Sequence, residues 1–215
     1  MQGSTDFTPI SYVADAPFAL VITSDLPPKT IQDLVPYIKA NKAKLSLANA
    51  GLGAASHLCG LLFMSAIQTD FTTVPYKGTG PAMNDLLGGQ VDFMCDQTTN
   101  TTGQIKGGKV KALAVTSPGR HPAFPEIPTM SESGFPGWDT GPWFGLAVRS
   151  GTPEPIVERL ARETRKALAA PDVRERLNGM GATPVGSSPG EFRQYILEEQ
   201  KRWGELIRTL GIRAE

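Results

Sequence analysis

The chain has 215 residues, 40% of them hydrophobic, which is enough to bury the core of one large or two small globular units. Its 21 basic residues balance its 21 acidic residues, and this balance argues against a nucleic-acid surface as the principal function. No stretch approaches the roughly 18 consecutive apolar residues that a membrane-spanning helix needs, and no signal peptide is visible.

The first predicted elements are a strand region and a helix. Residues 7–22, FTPISYVADAPFALVI, alternate and then become apolar, which predicts one long or two short strands. Residues 27–41 carry apolar side chains at helical spacing, with Thr30 as the N-cap and Asp33 three residues later, as in a capping box. Pro36 is expected to kink this helix or to loosen its first turns.

Strand and helix patterns then alternate over residues 44–116. The strand candidates are KLSLAN, FTTVPY, QVDFMC and VKALAVT, and the helix candidates between them are ASHLCGLLFMSA, GPAMNDLLGG and NTTGQIKGG. This alternation predicts a parallel α/β sheet covered by helices. Right-handed crossovers would bring every strand-to-helix loop to one edge of that sheet.

The rest of the chain has a different character. Residues 117–142 are rich in proline and glycine and predict an ordered but irregular segment. A strand, WFGLAVR, and three helices follow, and Ser188 with Glu191 predicts a capping box at the start of the last helix. The apolar stripe of that helix comprises Phe192, Ile196, Trp203, Leu206 and Leu210. We therefore expect residues 15–142 to form one complete α/β lobe, and residues 1–14 and 143–215 to form part of a second.

Three loops rich in small and polar residues follow strands of the predicted sheet. Their candidate ligand-binding residues are Gly51, Gly53, Ala54, Ala55, Ser56, His57, Lys77, Gly78, Thr79, Asp96 and Thr98. Small residues admit a ligand close to the backbone, and the free peptide N–H groups at a helix start favour an anion. The alternatives are tight helix–strand packing for the first loop, a solvated side chain for Lys77, and helix capping for Asp96 or Thr98.

Several kinds of chemistry are excluded by the same residues. The first loop lacks the Gly-Lys-Ser/Thr ending of a phosphate-binding loop and the third glycine of a dinucleotide fingerprint. Ser56 and His57 are adjacent on a helix, so their side chains diverge, and His57 is interpreted as a residue that packs or caps locally. We expect no catalytic residue, no metal site and no cofactor. Cys59 and Cys95 are interpreted as two buried thiols, with a disulfide as the alternative.

The string VPYKGTGPAMNDLLGGQVDFMCD, followed by IKGGKVKALAVTSPGRHPAFPEIPTMSESGFPG, resembles the Bug (TctC-like) family. These are extracytoplasmic solute-binding proteins of tripartite tricarboxylate transport systems. The resemblance spans nearly the whole chain and implies an α/β, type II periplasmic-binding-protein fold, whose two lobes close by a hinge motion on a small carboxylate. It also implies that the loop at Gly51–His57, the turn at Lys77–Thr79 and Asp96 contact the ligand.

The resemblance carries further expectations about partners and location. It implies membrane transporter subunits as partners, a periplasmic location, and neither nucleic-acid binding nor insertion into the membrane. The first lobe of the family has an opening strand and loop that nothing here matches, so we expect an incomplete first lobe and dimerisation or strand swapping. Ala54 and Ala55 stand where relatives often carry Ser or Thr, which favours a less polar ligand. The alternative functions are an effector-sensing domain of a transcriptional regulator and a carboxylate-processing enzyme.

Overall fold

A computed structural model describes residues 6–138 and 141–209 and divides them into two compact units. The continuous unit is Ala16–Pro142, and the discontinuous unit consists of the described residues of Met1–Asp15 and Trp143–Glu215. The assignment of these units to the two lobes of a binding protein stays a prediction.

The secondary structure alternates between strands and helices through the continuous unit. In chain order the elements are β1 (Phe7–Asp15), β2 (Phe18–Thr23), α1 (Ile31–Asn41), β3 (Ser46–Asn49), α2 (Ala55–Ile67), β4 (Thr72–Pro75), α3 (Thr79–Leu87), β5 (Phe93–Gln97), α4 (Thr98–Lys106), β6 (Val110–Val115), β7 (Trp143–Arg149), α5 (Glu154–Ala169), α6 (Pro171–Gly179), β8 (Thr183–Pro184) and α7 (Pro189–Thr209).

The sheet of the continuous unit is mixed, and the prediction of a purely parallel sheet is wrong. Its strand order is β4-β3-β5-β2-β6. β3 runs parallel to β4 and to β5, whereas β2 is antiparallel to both of its neighbours. The physical reason is that β2 enters from β1 through Ala16 and Pro17 alone, so no crossover helix sets its direction.

Alternate side chains of the strands fill two separate cores, one on each face of this sheet. Phe18, Leu20 and Ile22 of β2 belong to a core that includes the buried faces of α1 and α2. Ala19 and Val21 belong to the opposite core, which includes Ala82, Met83 and Leu86 of α3. Helices therefore cover both faces of the sheet, as its apolar strands predict.

The start of α1 confirms the predicted capping box. The Thr30 hydroxyl accepts from the Asp33 N–H at 3.1 Å, and the Asp33 carboxylate accepts from the Thr30 N–H at 3.2 Å. Hydrogen bonds to the carboxylate from the Thr30 side chain and from the Lys29 and Thr30 N–H groups lower the pKa of Asp33. The helix continues through Pro36 to Asn41.

The discontinuous unit contains a three-stranded antiparallel sheet, in the order β7-β1-β8, among its described residues. The sequence did not predict β8, since its two residues are too few to leave a periodic pattern. The predicted capping box of α7 is confirmed, because Ser188 N–H donates to the Glu191 carboxylate at 2.8 Å. In the predicted apolar stripe, Leu210 lies outside the described residues, as does the Leu206 side chain.

The proline-rich segment of residues 117–138 is irregular and ordered, as predicted. Phe124, Ile127 and Met130 are buried, and Arg120 forms an ion pair with Glu132 at 3.0 Å.

Within the described residues, no helix has both the length and the apolar character needed to cross a membrane.

Candidate functional site: an edge of three uncapped helices

The three predicted loops meet at one edge of the sheet, which confirms their predicted convergence. Because β3, β4 and β5 are mutually parallel, the loops that follow Asn49, Pro75 and Gln97 leave the sheet on the same side. Hydrogen bonds join the first two loops: Tyr76 N–H donates to the Asn49 carbonyl at 2.9 Å, and Gly78 N–H donates to the Ala50 carbonyl at 3.2 Å. We call this edge the rim.

Most N–H groups in the first loop already donate within the protein. Gly51 N–H donates to the Asn49 side-chain oxygen at 3.0 Å, and Gly53 N–H donates to His57 Nδ1 at 3.2 Å. Ala50 N–H donates to the Ser56 hydroxyl at 2.9 Å. The amides of Gly51 and Gly53 are therefore not free donors, because nearby side chains accept from both, and a contact of these glycines with a ligand stays a prediction.

The two glycines shape the loop instead. Gly51 has a φ of +118°, and a Cβ atom there would lie 3.1 Å from the Tyr76 carbonyl oxygen. Gly53 has a φ of +75°, which also lies in the left-handed region that residues with a side chain rarely adopt. No other atom lies within 4 Å of the position that its Cβ would take. Between them Leu52 is 73% exposed. The loop therefore needs glycine for its conformation and leaves open space beside Gly53.

The free donors lie one step further along the chain, at the start of α2. Ala54 is the N-cap of this helix and provides no side-chain hydrogen bond. The peptide N–H groups of Ala55, Ser56 and His57 form the first turn and have no acceptor within the helix. Burial lowers the pKa of His57, which favours the neutral ring that accepts from Gly53. The interpretation of His57 as a local cap is thus confirmed.

The second loop presents a bend at the start of α3. Gly78 is the N-cap, with a φ of +105° and no side-chain cap. Lys77 is exposed, and Thr79 is the first residue of the helix. Asn100 of α4 donates to the Thr79 hydroxyl at 3.4 Å, so the second and third loops are also connected.

Asp96 lies beneath the rim, with 1% of its surface exposed. Its carboxylate accepts from Asn100 Nδ2 at 3.1 Å. Burial raises its pKa, and hydrogen bonds from Gln97 N–H, Asn100 and Thr79 partly offset that effect. Asp96 therefore fixes the side chains of Thr79 and Asn100. The sequence places Asn100 among the polar residues of the third loop, but it was not predicted as a site residue, because its contact with Asp96 depends on how α4 leaves β5.

Thr98 and Ser56 are not surface groups. Thr98 is fully buried, and its N–H donates to the Pro17 carbonyl at 2.8 Å. Ser56 is 2% exposed, and its hydroxyl accepts from the Ala50 N–H. The Ser56 hydroxyl and the Thr98 N–H hold the rim in place. The alternative interpretation, capping of α4 by an Asp96 or Thr98 side chain, is not observed, because the N-cap is Gln97 without a side-chain bond.

The three helices of the rim share a feature that sets them apart. α2, α3 and α4 have neither a side-chain cap nor an acidic residue in the first turn. The first turns of the other four helices contain Asp33, Glu154, Asp172 and Glu191. A helix N-terminus carries a partial positive charge that an anion stabilises. Among the helices of the described chain, only the rim helices lack an acidic residue in the first turn, although the buried Asp96 carboxylate lies just before α4. An external anion can therefore complement these helix ends.

The two cysteines form a disulfide, and the interpretation as two separate thiols is wrong. Cys59 of α2 and Cys95 of β5 are joined across a Cα–Cα distance of 5.9 Å. They meet because the apolar face of α2 packs against β5, where Phe63 lies edge-on to Phe93 at 6.4 Å. In the described part of the chain, no three His, Cys, Asp or Glu side chains cluster as metal ligands.

Comparisons with known proteins define the class. The chain superposes on periplasmic binding protein BugD with a TM-score of 0.90 and 46% identity, over 97% of this chain and 71% of that one. It also superposes on MatC (Rpa3494) from Rhodopseudomonas palustris with bound malate, with a TM-score of 0.87 and 38% identity, over 96% and 71% of the two chains. The fold is thus that of periplasmic binding proteins.

The family follows from the sequence itself. The profile of the TctC family, described as the tripartite tricarboxylate transporter family receptor, matches residues 2–212, so the chain belongs to that family. A relative from Agrobacterium vitis, the UPF0065 protein in the TAR-I ttuE-ttuC' intergenic region, is 41% identical over 96% of this chain and 60% of its own length. The chain thus spans 60–63% of the length of three curated relatives that it matches. The family is one of receptors, so the prediction that the chain is not an enzyme is confirmed.

Proposed function

We propose that this chain binds a small carboxylate at the rim, as part of an extracytoplasmic receptor that delivers the acid to a tripartite tricarboxylate-type transporter. The observation that carries the proposal is the set of three helix N-termini, at one edge, without an acidic or capping side chain of their own. Three positive helix ends that converge, none of them with an acidic residue in its own first turn, are suited to an external anion.

The contacts are assigned to backbone groups. The N–H groups of Ala55, Ser56 and His57 donate to one carboxylate, and the first-turn N–H of Thr79 donates beside it, with the Thr79 hydroxyl held between Asn100 and Asp96. Lys77 adds a positive charge from its exposed position. Asp96 and Thr98 contribute by holding Thr79, Asn100 and the start of α4, and need no direct contact with the ligand.

The comparison with MatC supports the choice of ligand class, since that protein was solved with malate bound. Ala54 and Ala55 offer methyl groups where a hydroxyl would give a further donor. We infer a mono- or dicarboxylate with an apolar body as the ligand. Family membership favours this function over an effector domain of a transcriptional regulator.

A periplasmic location agrees with the chemistry of the chain. The Cys59–Cys95 disulfide is of the kind that forms and persists in oxidising compartments such as the periplasm. The periplasmic binding protein BugD, to which this chain is 46% identical, has the same fold. Transporter subunits in the membrane are the proposed partners of the assembled receptor.

Self-association through the discontinuous unit is a separate proposal. Within the described residues, β7 is an edge strand of its sheet, and Phe144 and Leu146 are 43% and 38% exposed. Exposed apolar edge strands favour pairing with another strand. Light scattering coupled to size exclusion would reveal a dimer, and Leu146→Lys should return it to a monomer. A wild-type chain that stays monomeric at high concentration would refute this proposal.

The test of the rim uses a matched pair of N-cap substitutions. Ala54→Asp places a capping carboxylate at the start of α2, where it competes with the ligand for the first-turn N–H groups. Ala170→Asp makes the same change at the alanine N-cap of α6, in the discontinuous unit. Binding of malate, adipate and benzoate is measured by isothermal titration calorimetry, with malamide as the uncharged control.

The expected result is binding of at least one acid and none of malamide. Ala54→Asp should weaken binding by roughly tenfold or more without loss of stability, since the new carboxylate occupies the positive helix end. Ala170→Asp should leave affinity unchanged. Equal affinities for wild type and Ala54→Asp would show that α2 does not bind the acid.

A further inference from the structure

The disulfide lies directly behind the rim and connects its two sides. Cys59 is three residues after Ser56, whose hydroxyl accepts from the Ala50 N–H of the first loop. Cys95 directly precedes Asp96, which accepts from Asn100. Cys59 and Cys95 are 0% and 2% exposed, so the crosslink is part of the packed interior beneath the rim.

The position of the first turn of α2 relative to β5 depends on the packing of the helix against that strand and on the crosslink. The helix follows a glycine loop, and its N-cap, Ala54, offers no side-chain bond. The ring contact between Phe63 and Phe93 lies one helical turn beyond the crosslink, further from the rim. The disulfide is therefore the covalent restraint closest to the free N–H groups of α2.

We propose that the Cys59–Cys95 disulfide is a positioning element of the carboxylate site, which holds the first turn of α2 at a set distance from the Asp96–Asn100–Thr79 side chains. The inference rests on the proposed function of the rim. The first turn of α2 and the residues around Asp96 must bind one small anion at the same time. Hydrogen bonds weaken steeply with distance and misalignment, so the separation of these two sides matters. A crosslink between α2 and the residue before Asp96 keeps the distance between the two sides constant.

The test compares three forms of the full chain: wild type, Cys59→Ala/Cys95→Ala, and Leu34→Ala. Leu34 is fully buried on α1, which is not a rim helix, so its truncation destabilises the continuous unit with the crosslink intact. Malate is the probe, and its dissociation constant is measured by calorimetry at a temperature where each form is fully folded. Reduction of the wild type with a dithiol, followed by reoxidation, provides a reversible version of the same comparison.

The double variant should bind malate roughly three- to tenfold more weakly, because a displaced α2 N-terminus loses part of its interaction with the anion. Reduced wild type should match it, and reoxidation should restore the affinity. Leu34→Ala should keep the affinity of the wild type. Equal affinity in the oxidised, reduced and double-variant forms would overturn the inference while leaving the proposed function intact.

Amide hydrogen exchange supplies a readout that needs no ligand. The N–H groups of Ala50, Ala54 and Leu58 donate to the Ser56 hydroxyl, the Gly51 carbonyl and the Ala54 carbonyl. Loss of the crosslink should speed their exchange, relative to the rest of the unit, by roughly tenfold through local opening. Leu34→Ala should not produce this selective change. If the wild type binds none of malate, adipate and benzoate, the proposed function fails, whereas unchanged exchange at these three amides refutes the positioning role independently.

Discussion

Reduction of the disulfide should destabilise the continuous unit by an amount that its position in the chain sets. Cys59 and Cys95 are 36 residues apart. The chain-entropy relation for a crosslink that closes a loop of this length gives roughly 4 kcal/mol at about 25 °C. Reduction removes this constraint without the cavity that a substitution leaves, because both sulfur atoms stay in the core.

Native-state hydrogen exchange measures this change separately in each unit. The slowest amides of β2 and β5 report the opening of the continuous unit, and those of β1 and β7 report the discontinuous unit, which contains no cysteine. A loss of about 4 kcal/mol corresponds to an increase of about a thousandfold in exchange at β2 and β5. The β1 and β7 amides should change little.

Two controls make the result decisive. Cys59→Ala/Cys95→Ala should show the faster exchange from the outset and no response to the reductant. An increase of less than about tenfold in the reduced wild type, which is about 1.4 kcal/mol, would refute the entropic reasoning. It would mean that the two cysteine positions already stay close together in the open state, so that the crosslink removes little freedom from it.

Three further predictions concern the rim and the second sheet. Asp96→Ala should weaken acid binding several-fold in calorimetry with the fold kept, whereas Asp70→Ala, at an exposed position before β4, should have no effect; equal losses would contradict the site. Because burial raises the pKa of Asp96, its contribution to stability is greatest below its ordinary pKa of 3.8 and is lost as pH rises through the raised value; urea unfolding should show wild type losing stability relative to Asp96→Asn over that window, and a constant difference would contradict it. Gly145→Ala would put a Cβ atom 2.0 Å from the buried Phe192 ring and should cost about 1–3 kcal/mol; an unchanged unfolding midpoint would show that the ring moves freely.

Periodicity identified most elements of the continuous unit because their patterns are local. The capping box of Thr30 and Asp33 and the apolar spacing of α1 involve neighbours along one helix. The direction of β2 is different, since it depends on where the chain enters the sheet, and no pattern within FALVIT encodes that. The pairing of Cys59 with Cys95 likewise depends on which strand α2 covers, and the sequence left both a disulfide and two thiols open.

The site was predictable as a location more than as a set of contacts. The three loops could be placed at one edge because parallel strands share their carboxyl ends. The free N–H groups at the start of α2 were expected as well, because the first turn of a helix has no acceptor within it. The hydrogen bonds inside the first loop could not be predicted, since they depend on side chains that turn back onto it: Asn49 and His57 accept from Gly51 and Gly53.

The balance of charge in the chain and an anion site at the rim are compatible for a physical reason. Peptide dipoles at the N-termini of α2, α3 and α4 supply positive potential without adding net charge, so composition does not reveal them. Their effect falls off within the first turn, so a ligand held this way depends on accurate placement of each helix end. Glycine at positions 51, 53 and 78 sets the approach of the backbone, and Asp96 and the disulfide hold the turns that follow. An anion site made of neutral groups thus makes the supporting contacts beneath the rim as important as the donors on it.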